Sequence, residues 1–192
     1  DMPLDAMLEV SDTGLLVRFA NGDRLAAVVL TQRLSPRALG FAARLLGDLA
    51  EAEDVTQEAM LRLWKIAPKW RQGEAEPATW LYRVVRNLCT DRLRKARGVA
   101  LDQIAEPEDG TSSVEASLIA QDRAAALQMA LNQLPERQRE AVILRHIEGL
   151  ANPEIAQIME ISTEAVESLT ARGKRALAAA LTPKREELGY DD

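Results

Sequence analysis

The run Gly149-Leu-Ala-Asn-Pro-Glu-Ile-Ala-Gln-Ile-Met-Glu-Ile-Ser-Thr-Glu-Ala-Val-Glu-Ser-Leu169 leaves this chain few ways to fold. It reads as two short helices joined by a tight turn. Asn152 is placed to cap the first helix, Pro153 suits the first helical position, and Glu154 suits the positive end of the helix dipole. Ile155, Ala156 and Met159 make an apolar stripe, Ile161 fills the turn, Ser162 caps the second helix, and Val166 and Leu169 return to the same core. Ala156 is small where the helices must cross. This is the spacing of a helix-turn-helix, whose second helix lies in the DNA major groove, so the motif predicts DNA binding.

The rest of the chain suits an all-α fold. Apolar residues make up 47% of the 192, enough for real cores, while aromatics are only 4% and alanine and leucine dominate. That balance favours helix packing over strands. No run of about 18 apolar residues exists, so no membrane insertion is expected. The start, Asp1-Met2-Pro-Leu-Asp, lacks the basic-then-apolar layout of a secretory signal. Cys89 stands alone, which leaves neither a disulfide nor a thiolate zinc site within the chain, and the cytoplasm is the natural compartment. No cofactor, metal or small-molecule substrate is expected.

Local signals divide the chain. Ser11 to Gly22 reads as a short helix. Asp23 opens a long helical stretch ending at Gly47, which Pro36 should break or kink. Asp48 has capping-box spacing to Glu51 and leads into a helix to about Ala67. A loop over 68–76 precedes a helix from Pro77 to about Arg97. Residues 11–97 thus make one helical domain. The acidic stretch 98–117, with Gly98, Pro107, Gly110 and a Thr-Ser-Ser run, reads as a flexible linker. A second helical domain covers 118–181 and includes the helix-turn-helix, and 182–192 form a polar tail.

A net charge of −6 looks wrong for a nucleic-acid binder until its distribution is followed. From Tyr82 to Arg97 six bases (Arg83, Arg86, Arg92, Arg94, Lys95 and Arg97) stand against Asp91 alone. Arg172, Lys174 and Arg175 form another basic knot. Acids dominate before residue 60 and again over 98–135, so separate faces for DNA and for other partners are expected.

On the helix from Pro77, Leu81, Val84, Val85 and Leu88 form an inward stripe. Arg83, Asn87, Thr90, Arg94 and Arg97 line the other side, with Arg86 beside them. Such cations can neutralise phosphates, and the amide of Asn87 can read a base edge. A basic helix by itself is more often a solvated face; beside a separate DNA-binding motif it points to function. Trp64 reads as a core anchor and Trp70 as the more exposed of the tryptophans. Trp80 is suited equally to wedge against a duplex or to seat the helix. Asp54 and Glu58 share a helix face with Gln57 and Arg62, which reads as a protein-contact surface or a plainly solubilising one rather than a catalytic pair. His146 sits near Ile143 and Ile147 and reads as structural. On the second helix of the motif, Thr163, Glu164, Glu167, Ser168, Ala171 and Arg172 point outward. Backbone affinity then rests on Arg172, Lys174, Arg175 and the upstream Arg137 and Arg139.

Together these segments resemble a bacterial RNA polymerase sigma factor of the extracytoplasmic-function class. Residues 47–64, with Asp54-Val-Thr-Gln-Glu58, resemble the family's region 2 helix that docks on the polymerase clamp. Residues 79–94 are similar to its −10 recognition helix, and 134–145 with the helix-turn-helix are similar to region 4, the −35 reader. The resemblance implies that Asp54, Gln57, Glu58 and Arg62 meet the clamp. It implies that Asn87 lies near a flipped −10 base, with Trp80, Arg83, Arg86, Thr90, Arg94 and Lys95 around it. Thr163, Glu164, Glu167, Ser168, Arg172, Lys174 and Arg175 would face the −35 element. Glu160 replaces the usual turn glycine, and Glu167 and Leu169 replace commonly basic residues. Core polymerase and promoter DNA are the implied partners, with an anti-sigma factor as a third.

The sequence admits two rival readings. A stand-alone helix-turn-helix regulator would use residues 11–97 for dimerisation or sensing, yet such a domain has no need of the basic 82–97 face. A helical enzyme is suggested only by the Asp54–Glu58 carboxylates, with no nucleophile or metal set beside them.

Overall fold

A computed structural model describes residues 2–71, 73, 75–100 and 115–185, with side chains at 99–100, 115–119 and 183–185 left aside. Among the described residues every regular element is helical, the all-α class that the composition predicts. Most of the expected linker (101–114) and of the polar tail (186–192) lies outside the described residues. The chain divides into two compact units, residues 1–91 with 157–160 and residues 92–156 with 161–192.

The first unit begins with a single turn, α1 (Leu4–Met7), then α2 (Asp12–Ala20), α3 (Arg24–Leu46) and α4 (Leu49–Ile66). Each of the three longer helices starts at a side-chain cap. Ser11 Oγ accepts from the Gly14 amide at 3.1 Å, Asp23 Oδ1 from Leu25 and Ala26 at 3.1 and 3.3 Å, and Asp48 Oδ1 from Glu51 at 3.1 Å. Between α3 and α4 the chain reverses at Gly47, whose φ of 68° is the left-handed conformation that glycine adopts without strain. Of the break or kink expected at Pro36, the break does not occur. Pro36 lies at the exposed surface of a continuous helix, where water can satisfy the carbonyl that its missing N–H abandons.

Leu15, Leu16, Leu30, Leu34, Phe41, Leu45, Val55 and Leu63 are fully buried and form the core of this unit. A 3₁₀ turn (Ala67–Lys69) leads from α4 toward α5 (Pro77–Ala100). Tyr82 of α5 is buried with its ring edge-on to Phe41, centroids 5.4 Å apart, and the Arg37 guanidinium lies 5.5 Å from the Tyr82 centroid. α5 continues through Gly98, which the linker was expected to begin.

The second unit contains α6 (Glu115–Gln133), α7 (Glu136–Val142), a π-helical turn (Ile143–Ile147) and α9 (Thr163–Arg185); α8 (Asn152–Met159) precedes α9. α9 packs on both α7 and α6. Its contact with α7 is set by Gly173, deep in the helix. A Cβ built there collides with Val142 Cγ2 and stands 3.1 Å from the Gln138 carbonyl oxygen. Glycine inside a helix costs about 1 kcal/mol relative to alanine, so the close crossing outweighs local propensity at this position. Gly173→Ala should therefore lower the stability of the chain by about 1 kcal/mol or more despite its better helix propensity. Urea unfolding followed by helical circular dichroism measures this; an unchanged or higher midpoint would mean that the two helices part without cost.

Candidate nucleic-acid interface

α5 exposes a cationic face because its apolar residues are taken inward. Leu81, Tyr82, Val85, Leu88 and Cys89 are buried, while Val84, assigned inward by periodicity, is only half-buried. Asn87, Arg94, Lys95 and Arg97 are exposed, and Arg83, Arg86 and Thr90 are half-buried. Arg83 donates from Nε to the carbonyl of Gln157 at 2.7 Å, and Arg97 pairs with Glu136 at 3.2 Å. Trp70 is not the exposed ring expected. It packs edge-to-face with Trp80, centroids 6.2 Å apart at 82°, and both are half-buried. The same contact gives Trp80 a seating role in the first unit. Trp64 is half-buried against Phe19 at 4.7 Å rather than sealed in the core.

In the helix-turn-helix, Ser162 Oγ accepts from the Ala165 amide at 3.1 Å and starts α9 as expected. Val166 and Gly173 are buried, as is Thr170, whose hydroxyl donates to the carbonyl of Val166 at 2.9 Å. Glu164, Glu167, Ser168, Ala171, Arg172, Lys174 and Arg175 are exposed; Thr163 and Leu169 are half-buried. The turn residue Glu160 takes φ 57°, the left-handed region where a side chain carries a cost of about 1 kcal/mol. Asn152 does not cap α8. It is the first residue of the helix, and its buried Oδ1 has no hydrogen-bond donor.

Arg139 and His146 also depart from expectation. Arg139 is half-buried and donates to the carbonyls of Leu131, Asn132 and Leu134 at 2.8, 2.9 and 3.1 Å. It thus satisfies the frayed carbonyl end of α6 instead of facing a phosphate. Burial, opposed by Glu136 and Glu140, holds its pKa below the ordinary arginine value, and it remains charged. His146 is exposed rather than packed among the isoleucines.

A third face lies on α4. Asp54, Gln57 and Arg62 are exposed and Glu58 is half-buried, with Arg62 Nη2 donating to Glu58 Oε1 at 2.9 Å across one helical turn. Leu61 stands among them, 54% exposed. Its signal was present in the sequence, because it falls out of phase with the buried stripe Ala52, Val55, Ala59 and Leu63. Gly173 was equally visible as a glycine inside a helix that nothing else explains. Among the described residues no cluster of three or more His, Cys, Asp or Glu could hold a metal ion, and no helix is long and apolar enough to cross a membrane.

Comparison with known proteins supplies the context for these faces. Residues 30–99 match the Sigma-70 region 2 family and residues 124–177 match Sigma-70, region 4. The chain is 30% identical to the RNA polymerase sigma-H factor of Pseudomonas aeruginosa, over 94% of this chain and 99% of that protein. It is 34% identical to the ECF RNA polymerase sigma factor SigM of Mycobacterium tuberculosis, over 90% and 86%. In fold it is similar to CnrH, solved in complex with the cytosolic domain of CnrY, with a TM-score of 0.70 at 23% identity over 90% of this chain and 97% of that one. It is similar as well to RpoE of Bartonella quintana, solved with the anti-sigma factor NepR, with a TM-score of 0.62 at 23% identity over 79% and 94%.

The two upstream arginines should separate in experiment. Arg139→Ala is expected to cost about 2 kcal/mol, the worth of charge-assisted bonds to carbonyls otherwise left unpaired. Exposed Arg137→Ala should leave the melting temperature in place. Equal effects of the two substitutions on thermal unfolding would refute the capping role of Arg139.

Proposed function

This chain belongs to the RNA polymerase sigma factors of the extracytoplasmic-function class, and from that membership we infer how its three exposed faces divide the work. It binds core RNA polymerase, recognises the −10 and −35 elements of promoter DNA, and supports promoter opening. The observation that carries the division is the outward cationic face of α5, centred on exposed Asn87, on the same chain as a separate helix-turn-helix.

On α5, Arg83, Arg86, Arg94 and Lys95 hold the −10 backbone, and Asn87, with Thr90 beside it, reads an unpaired base by its amide donor and acceptor. Trp80 supports this surface from below. On α9, Thr163, Glu164, Glu167 and Ser168 meet the −35 major groove. Arg172, Lys174 and Arg175 supply the phosphate contacts, and a glutamate can accept from cytosine N4. Asp54, Gln57, Glu58 and Arg62 of α4 dock on the polymerase, with Leu61 as the apolar contact among them.

Residues 11–97 then act as the −10 and polymerase-binding domain, and 118–181 as the −35 domain. Two weak DNA contacts joined by 98–117 gain effective concentration once both promoter elements are engaged. As a specificity subunit the chain performs no chemistry of its own and acts with polymerase in the cytoplasm. An anti-sigma factor is its remaining partner, by membership of a class whose folds are solved with such antagonists.

Gel shift with and without core polymerase, followed by reconstituted transcription, tests the whole. A symmetric operator bound tightly without polymerase would favour the stand-alone regulator instead. Within the division, Asn87→Ala should reduce promoter opening by about tenfold, read by permanganate reactivity, while the −35 footprint persists. Loss at both elements alike would contradict the assignment. Leu61→Asp, at an exposed position that folding does not need, should weaken capture by core polymerase about tenfold and leave helicity unchanged. Undiminished capture would remove Leu61 from the docking face.

A further inference from the structure

The π-helical turn after α7 performs a specific rotation. Glu140, Ala141, Val142, Ile143 and Leu144 are five successive buried residues, more than one stripe of an α-helix provides. In continued α-helical phase, Arg145 and His146 would share the inward face of buried Ala141 and Val142, four residues back. The Glu148 amide instead donates to the carbonyl of Ile143 at 2.8 Å, five residues back. The widened turn brings Arg145 and His146 out to solvent.

The helix crossing then adds a third cation. Gly173 lies directly on Val142 and Gln138, just ahead of the turn, and its exposed neighbour Lys174 follows it on α9. Arg145 is tied down by donating from Nη1 to the carbonyl of Leu150 at 3.3 Å. The charged groups that act on the imidazole are Lys174 from α9 and Arg145 from its own turn, both positive.

We propose that Arg145, His146 and Lys174 form a phosphate-binding corner for the DNA backbone beside the −35 contact, and that His146 takes up a proton from solvent as the phosphate arrives. This rests on the −35 role of the helix-turn-helix given above. In the free chain, partial burial, then Lys174, then Arg145 hold the His146 pKa below its ordinary value, so at neutral pH the ring is uncharged. A phosphodiester between the three groups offsets the repulsion and accepts a hydrogen bond from the imidazolium. The −35 contact therefore tightens as pH falls, through the one side-chain type that ordinarily titrates near neutrality.

The chain has a single histidine, so one resonance reports the event. Full-length chain carrying isotope-labelled histidine is titrated by NMR alone and with a duplex selected from a random pool by the holoenzyme, binding being followed in parallel by fluorescence anisotropy. The midpoint of His146 should rise by about one pH unit when the duplex is bound. His146→Gln should match the native chain at about pH 8 and lose the gain in affinity at about pH 6, whereas His146→Arg should bind tightly at both. Lys174→Ala should raise the midpoint of the free chain. A duplex that binds while the midpoint stays put, or an His146→Gln chain that keeps the native pH profile, overturns the corner alone. Failure to bind any selected duplex overturns the −35 role with it.

Discussion

The seat of Tyr82 decides what α5 can present. An isolated helix with cations at several angles has no preferred outward face. Here a large ring is buried edge-on to Phe41, with the Arg37 guanidinium on its other contact, and this fixes the roll of the helix. Leu81, Val85, Leu88 and Cys89 follow it inward. Once those positions are taken, Asn87 and Arg94 have nowhere to go but out. Burying each large apolar side chain contributes about 1.5–3 kcal/mol, so turning α5 to hide its arginines would forfeit several such terms and also desolvate charge. The exposed cationic face thus follows from packing on its opposite side.

The second unit obtains its surface by the same logic, with backbone contact in place of an aromatic seat. Gly173 lets α9 lie against α7 at a distance no side chain allows. Val166 and Thr170 complete the buried edge of α9, which leaves Glu164, Glu167, Ser168 and Arg172 directed to solvent. The buried Thr170 hydroxyl is satisfied within its own helix and carries no unpaired polar atom into the contact. Arg139 plays the matching part at the end of α6, where three carbonyls share one planar guanidinium.

What the sequence disclosed follows from the range of each force. Caps are local, and Ser11, Asp23, Asp48 and Ser162 could be read because the acceptor and the amide it meets lie two or three residues apart. The apolar phase of α4 and most of that of α5 were legible for the same reason, as were exposed Asn87, Arg94 and Arg97 of the outward set, while Val84, Arg83 and Thr90 are half-buried. Tertiary context decided the remainder. Pro36 sits inside α3 because its exposed position makes the lost hydrogen bond tolerable, which propensity cannot know. Asn152 looked like a cap, but the chain enters α8 one residue earlier. Arg139 and Arg137 are indistinguishable as letters, and only the approach of α6 separates a capping residue from a free cation. His146 reads as structural beside Ile143 and Ile147, yet the π turn leaves it exposed, and no local pattern announces such an insertion.

Charge raises the last question, because this chain must approach a polyanion while carrying six net negative charges. Screening resolves it. At physiological salt the Debye length is about 8 Å, so a phosphate at α5 responds to nearby arginines and scarcely to carboxylates beyond that distance. The acidic total still matters at longer range and at low salt, where it opposes indiscriminate association with duplex DNA. Tight promoter binding then gains from engaging both patches together and from a partner that brings its own DNA contacts, which suits a subunit that selects promoters best when joined to polymerase. An acidic chain with two local basic faces meets that requirement better than a uniformly basic one, which would bind promoters and bulk DNA alike.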